Sequence, residues 1–299
     1  MNGHVLDTPG FALGAADQVS SALWRAAIGS SFTQPQFLTL TGLYHSPGVG
    51  HYDLADRIGI DRATIGPILK RLMDQGLVER GKDSNDSRRA ILRLYPDALK
   101  ILEDMVPLVR QIGLELMSPL SRSEQAAVVL SWATLGHGLA LKPASQRAPD
   151  SGISPSVPPL AHYPWFFLRL ACRQYRQVWR DFCGDGLSAA QFVLMDIVAR
   201  QPGIDIRSSA LKGLIEESNA VRTVMRLVRT RLMRDPRDPL DARRSLLSLT
   251  PPGQRQHQEI ANKIGEIQHA LCQELPPLAV EEFLRLTRLV ARLDNAAEG

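Results

Sequence analysis

The chain is written twice. Slid against itself by 155 residues, it stays in register without a gap from Pro9 to Ala98, and 23 of those 90 positions are identical. They include Phe11/Phe166, Trp24/Trp179, Arg25/Arg180, Gln36/Gln191, Phe37/Phe192, Arg71/Arg226, Leu72/Leu227 and Pro96/Pro251. A charged stretch recurs with them: "DSNDSRRAILRL" at 83–94 and "DPLDARRSLLSL" at 238–249 share Asp, two residues, Asp, one residue, Arg-Arg. Self-similarity held over such a length marks a duplication. The chain is then expected to form two like units, and 299 residues suffice for two ordinary domains.

Between the copies lies "KPASQRAPDSGISPSVPPL", too rich in Pro, Ser and Ala to build a core and read as a semi-extended linker. The expected division is a first repeat at 1–141, a linker at 142–160 and a second repeat at 161–299. Within each copy the pattern is mostly helical. The first copy predicts a helix at 9–28, a second capped by Thr33 and stopped by "SPG" at 46–48, and a short one at 52–59. Asp61 caps the next, "RATIGPILKRLMDQ", which ends at Gly76. "LVERG" and "RRAILRLY" alternate at period two, as an antiparallel hairpin does, with "KDSNDS" as its turn. Pro96 opens a long helix to Met117, and Ser121 caps another to about Leu141. The second copy repeats this order, with Ser188, Ser218 and Pro251 at the matching starts.

Several function classes are disfavoured. No apolar run approaches the roughly 18 residues that span a bilayer, so no membrane partner is expected. The N-terminus lacks a basic region leading into a continuous apolar core. Three cysteines, Cys172, Cys183 and Cys272, form no CxxC and no disulfide framework, as expected in a reducing cytoplasm. There is no glycine-rich phosphate loop, GxSxG or HExxH, so no enzyme is read here. The seven histidines show no metal-ligand spacing, and no cofactor is expected. The net charge of +4 is mild, but residues 161–299 carry 20 Lys/Arg against 16 Asp/Glu while residues 1–141 carry 13 against 14. Clustering of charge, not the total, points to nucleic acid.

A short helix, a turn, an amphipathic helix and a charged hairpin make a winged helix-turn-helix. A helix fits the major groove, where each base pair shows a distinct donor/acceptor pattern, and a cationic hairpin tip lies along phosphates or in the minor groove. In the first copy Ile65, Ile68, Leu69 and Leu72 share the inward face, leaving Arg62, Thr64, Gly66, Lys70 and Arg71 near the outer faces. In the second, Ala220, Thr223, Val224 and Leu227 match the inward set, with Asn219, Arg222, Arg226 and Arg229 outside. Asn pairs bidentately with adenine and Arg with guanine, while Lys suits phosphate. On the hairpins Asp86 and Arg88, or Asp241 and Arg243, are close enough to pair. Lys82, Arg88 and Arg89, with Arg237, Arg243 and Arg244, supply positive charge towards double-stranded DNA.

"ADRIGIDRATIGPILKRLMDQGLVERGKDSNDSRRAILRL", followed by a long helix, resembles the MarR (multiple antibiotic resistance regulator) family. The resemblance covers nearly all of residues 9–141. At 161–295 it is weaker, though "LSAAQFVLMDIV" and "RLMRDPRDPLDARRSLLSLTPPG" keep the layout. It implies winged-helix regulators, more often repressors, that normally dimerise through their first and last helices. Each lobe reads half of a pseudo-palindrome, and the effectors are often phenolic or other aromatic acids held between the dimerisation and DNA-binding parts. Here both lobes lie on one chain. The expected fold is mainly α with small β-wings (α+β): two winged helix-turn-helix lobes and a helical dimerisation-like domain, arranged as an intramolecular pseudo-dimer in a monomeric chain. Tethering gives the lobes a high effective concentration and frees them to differ. Their half-sites should be non-identical, with centres about 10 bp apart. The rival reading is that one lobe has lost DNA contact and serves as a structural or protein-interaction partner.

In a branch of that family a reactive Cys senses peroxide; Gly10 and Trp165 stand at its position here, which argues against that chemistry. Trp24-Arg25 and Trp179-Arg180 recur late in the first helix of each copy. An aromatic face beside a guanidinium suits an aromatic carboxylate effector. Equally, the Trp packs the core while the Arg makes an internal salt bridge.

Overall fold

The computed structural model describes residues 5–82, 90–136, 156–236 and 246–293. After a 3-10 turn at Val5–Asp7 come α1 (Pro9–Ile28), α2 (Gln34–His45), α3 (His51–Arg57) and α4 (Arg62–Asp74). Strands β1 (Val78–Lys82) and β2 (Ala90–Leu94) follow, then α5 (Pro96–Met117) and α6 (Arg122–Leu135). A second 3-10 turn at Leu160–His162 leads into α7 (Pro164–Cys183), α8 (Ala189–Arg200), α9 (Ile206–Lys212) and α10 (Glu217–Arg229). Strands β3 (Met233–Arg234) and β4 (Ser248–Leu249), α11 (Pro251–Cys272) and α12 (Pro277–Val290) complete it. The fold is mainly helical with two small antiparallel sheets, β1–β2 and β3–β4. Each helix of the first repeat has a counterpart of equal length 155 residues on, from the 20-residue α1 and α7 to the 14-residue α6 and α12. The register therefore persists beyond Ala98, where identities no longer reveal it.

The helix boundaries follow from local chemistry. Thr33 and Ser188 each close a capping box, with Gln36 and Gln191 returning the bond to the cap backbone. Pro96 and Pro251 occupy the first turns of α5 and α11, where a missing N–H costs nothing. One expected start is displaced. Helix α10 is capped by Glu216, not Ser218, which lies inside the first turn and donates from its hydroxyl to Glu216 Oε1 at 3.0 Å. Glu216 is the register partner of Asp61, the cap of α4, so the duplication located this boundary better than residue preference did.

The chain divides into two compact units that draw on both repeats. One comprises residues 19–171; the other comprises residues 1–18 and 172–299. Helices α1 and α7 each begin in the unit dominated by the other repeat. In the first unit, Ile65, Leu69 and Leu72 of α4 are buried as expected and Ile68 is half-buried. In the second, Ala220, Val224 and Leu227 of α10 are buried and Thr223 is half-buried. The end of the linker departs from a solvated tether: Val157 is fully buried in the first unit, and the 3-10 turn after it packs on α2.

The two wings differ. β1 and β2 pair over five residues, from Val78↔Leu94 to Lys82↔Ala90. β3 and β4 pair over two, Met233↔Leu249 and Arg234↔Ser248, with one further bond from the Leu246 N–H to the Pro236 carbonyl at 2.8 Å. Pro236 stands where the first wing has Gly81, and a proline has no N–H to give the ladder. No helix among the described residues is long and apolar enough to cross a membrane.

Candidate nucleic-acid interface and effector centre

The two second helices of the helix-turn-helix pairs present unlike surfaces. On α4, Arg62, Thr64, Lys70 and Arg71 are all exposed. Two of these cations are engaged within the lobe: Arg62 Nη2 donates to Asp56 Oδ2 at 2.8 Å with its guanidinium over the Tyr52 ring, and Lys70 Nζ donates to Asp74 Oδ2 at 2.8 Å. Gly66 and Pro67, both exposed, contribute no donor. On α10, Asn219, Arg222, Arg226 and Arg229 are exposed, and Arg222 donates to the Asn219 side-chain oxygen. Position by position, Pro67 is replaced by Arg222 and Asp74 by Arg229, while Arg71 and Arg226 coincide. Arg62 is in turn replaced by Glu217 and Lys70 by Met225, so the two helices carry the same net charge of +2, distributed differently along their outer faces.

Of the wing residues, Lys82 pairs through its backbone with Ala90, while its side chain lies outside the described residues. Arg88, Arg89, Arg237, Arg243 and Arg244 lie outside them as well, as do Asp86 and Asp241.

The Trp-Arg pairs are set apart by the helix. Successive residues project about 100° apart, and the two side chains go to different environments. Trp24 and Trp179 are buried, each donating its indole N–H to a backbone carbonyl eight residues on: Phe32 at 2.9 Å and Leu187 at 2.6 Å. Arg25 and Arg180 are exposed, and Arg180 donates to Gln177 Oε1 at 2.6 Å.

Trp24 belongs to an aromatic cluster in the first unit that sequence inspection did not assemble. Its ring meets Phe37 and Trp165 edge-on at 5.9 and 5.8 Å. Tyr163 stacks on Trp165 at 5.7 Å and meets Phe37 at 5.8 Å. Among the buried polar atoms of this unit without a hydrogen-bond partner are Trp165 Nε1, Tyr163 Oη, Thr41 Oγ1 and His45 Nε2. Phe37, Thr41 and His45 are four residues apart on α2 and so line one face of it. Burial pushes the Tyr163 phenol up to about 12, against the opposing charge of Arg110. Burial likewise lowers the His45 pKa, although hydrogen bonds with the backbone at Pro158 and Val157 act the other way. Each unmet buried donor or acceptor costs about 1–3 kcal/mol.

The corresponding centre of the second unit is filled differently. Trp179, Phe192, Tyr175 and His257 form a chain of rings 5.3 to 6.1 Å apart, ending in the stacking of His257 on Phe192. Buried Asp196 accepts from Arg200 Nε at 2.9 Å and bonds His257 Nε2 at 2.8 Å. Burial alone would raise the Asp196 pKa, but these two partners together hold it below the usual carboxylate value. Asp196, Arg200 and His257 stand where the first repeat has Thr41, His45 and Leu102. The Trp165 position is taken by Gly10, and the ring of Tyr175 fills the space: a Cβ on Gly10 would lie 2.3 Å from it. The signal for this divergence was in the aligned copies, but only as unlike residues at equivalent positions.

Beside Asp196 and His257 the second unit has a cleft of about 370 Å³, bordered also by Arg200, Ser248, Gln254 and Gln258. Cys183 and Cys272 are poor thiolates. Cys172 is buried with its thiol towards the Leu13 carbonyl, burial raises the Cys183 pKa, and it pushes Cys272 up to about 11. No group of three metal-ligating side chains is gathered among the described residues.

The family model described as MarR matches residues 32–90, from just before α2 to the start of β2. The HTH-type transcriptional repressor NicR of Pseudomonas putida is 30% identical over 126 residues, covering 42% of this chain and 80% of its own length. Transcriptional regulator HosA of Escherichia coli O157:H7 is 29% identical over 112 residues, 38% of this chain and 82% of its own. Among solved structures, the PcaV transcriptional regulator of Streptomyces coelicolor in complex with its natural ligand is 26% identical with a TM-score of 0.42, over 50% of this chain and 99% of that one. Bordetella bronchiseptica BpsR, whose DNA binding is regulated by 6-hydroxynicotinic acid, is 29% identical with a TM-score of 0.42, over 43% and 92%. NicR and HosA thus each place about four-fifths of their length on about two-fifths of this chain. The chain belongs to the MarR family of DNA-binding, winged helix-turn-helix transcription regulators.

Proposed function

We propose that this chain is a repressor whose two non-identical lobes, one per repeat (1–141 and 161–299), pair within one chain and read an asymmetric pseudo-palindromic operator. The observation that carries the reading is the recurrence, in one chain, of an exposed cationic helix followed by a wing, with unlike outward residues on the two helices. NicR, itself a transcriptional repressor, supports the direction of regulation.

The same reading places a small aromatic acid in the first unit. The rings of Trp24, Phe37, Tyr163 and Trp165 offer flat apolar contact; the Trp165 N–H and the Tyr163 and Thr41 hydroxyls offer hydrogen bonds to a carboxylate or phenolic oxygen, and His45 Nε2 accepts from a phenolic O–H. Arg25, Arg180 and Trp179 have no part in this site.

A titration of the chain at stated salt against duplex from upstream of its own gene and against a scrambled duplex tests it. The expected result is a preference of about a thousandfold or more, with one chain per site. A panel of benzoates and hydroxybenzoates then releases the chain, and Trp165→Phe, which removes the unmet indole donor, weakens that release about tenfold without loss of stability. Equal binding to both duplexes overturns the operator reading.

One observation favours a second reading, in which the first lobe has lost most of its DNA contact: Arg62 and Lys70 are tied to Asp56 and Asp74. A footprint half the expected length would select it.

A further inference from the structure

The exposed half of α10 is itself divided. Helical projection puts Arg222, Arg226 and Arg229 on one side of its outward face, and Val221 and Met225, one turn apart, on the other. Val221 is 37% exposed and Met225 65%, on a helix whose apolar burial is already supplied by Ala220, Val224 and Leu227. Neither exposed side chain is needed for the lobe's own core. The matching residues of α4 are Gly66 and Lys70, so the first lobe has no such edge.

We propose that Val221 and Met225 are specificity-determining residues that contact thymine C5-methyl groups, so that the half-site under the second lobe carries thymines that the other half-site does not need. The proposal rests on the reading above of α10 as a DNA-recognition helix. The thymine methyl is the one apolar group on a base edge in the major groove, and it distinguishes A·T from T·A and from both G·C orientations. Arginines flanking an apolar edge on one helix face set the register: the guanidiniums engage phosphates or guanine while the edge lies against the base methyls. A flexible thioether beside a compact β-branched residue fits a row of methyls without demanding a hydrogen bond. The charge complementarity comes from Arg222, Arg226 and Arg229, the last standing where α4 has Asp74.

The experiment uses the full chain and a duplex enriched by it from a random library. That duplex is synthesised with thymine and, one position at a time, with deoxyuridine, which removes only the methyl. Two or more positions in one half-site are expected to lose about fourfold each on that replacement, and the other half-site to be indifferent. In the Val221→Ala/Met225→Ala variant those losses vanish, while its thermal midpoint stays unchanged because both side chains face water. Selection with that variant should relax the thymines of one half-site and leave the other as it was. A half-site without thymine opposite α10, or a variant that keeps its sensitivity to deoxyuridine, overturns the proposal while leaving the DNA-binding reading intact. Failure to enrich any duplex overturns that reading, and this proposal with it.

Discussion

The aromatic centres of the two units occupy matching register positions and are completed in opposite ways. In the second unit, Asp196 binds both His257 and Arg200, Tyr175 fills the space above Gly10, and the acid, imidazole and phenol are all engaged. Gln268 Nε2 is among the second unit's buried atoms without a hydrogen-bond partner. In the first unit, Thr41 and His45 replace the acid and the arginine, Leu102 replaces the imidazole, and Trp165 and Tyr163 bring N–H and O–H groups that find nothing. The second unit satisfies its central polar groups from within, beside the cleft, whereas the first keeps Trp165 Nε1 and Tyr163 Oη without a hydrogen-bond partner.

The sharpest way to break this contrast is at Asp196. Asp196→Ala leaves His257 without its acceptor in a buried setting and should destabilise the chain by about 3 kcal/mol, read from denaturant unfolding. The triple variant Asp196→Thr/Arg200→His/His257→Leu, which writes the first repeat's residues into the second unit, should cost less than that single change, because no charge is left stranded. The acid response follows from the lowered Asp196 pKa. With the folded value below the unfolded one, its contribution is fully present above the ordinary carboxylate pKa and lost as the pH falls through the lowered one. Asp196→Ala should flatten that part of the stability profile, and an unchanged profile would remove Asp196 from the account.

The next contrast concerns glycines four residues apart on α1. Gly10→Ala drives a methyl into the Tyr175 ring and should cost about 1–3 kcal/mol. At Gly14 an added Cβ meets nothing within 4 Å, so Gly14→Ala should stabilise by about 0.5–1 kcal/mol. Gly10→Trp/Tyr175→Ser writes the first unit's arrangement into the second and should relieve most of the clash. If the aromatic cluster is the effector site, that variant moves towards binding two equivalents of a hydroxybenzoate per chain in calorimetry.

Most of the fold was legible because it rests on local signals stated twice. Capping residues, prolines at helix starts and period-two strands located nearly every element, and where residue preference misplaced a start, at Ser218, the repeat register corrected it. The short second wing was hidden in plain sight, since Pro236 reads as a turn residue until it is aligned with Gly81. The outward residues of α4 and α10 were legible from helical spacing. The aromatic cluster was not, because it joins Trp24 and Phe37 of the first repeat to Tyr163 and Trp165 at the opening of the second. Such a join depends on which unit the start of each first helix enters, and periodicity carries no information about that. Trp24 stands out in the sequence because it is repeated, whereas nothing there ties Trp165 to it, since Gly10 is Trp165's counterpart.

The smallest expected effects compare the second helices of the two helix-turn-helix pairs, α4 and α10, at matched positions. Arg71 and Arg226 are register partners, both exposed, yet they sit in different fields. Arg226 has Arg222 and Arg229 beside it, whereas Arg71 has Pro67 and Asp74, the latter drawing Lys70 to 2.8 Å. Arg226→Ala should therefore weaken operator binding by about tenfold and Arg71→Ala by only about two- to threefold, measured by titration at one salt concentration. Asp74→Arg writes Arg229's counterpart into α4. It releases Lys70 and adds a cation, so it should steepen the dependence of log affinity on log salt by one or two phosphate contacts' worth. If the first lobe does not touch DNA, the same change leaves that slope where it was, because a charge far from the phosphates displaces no counterions.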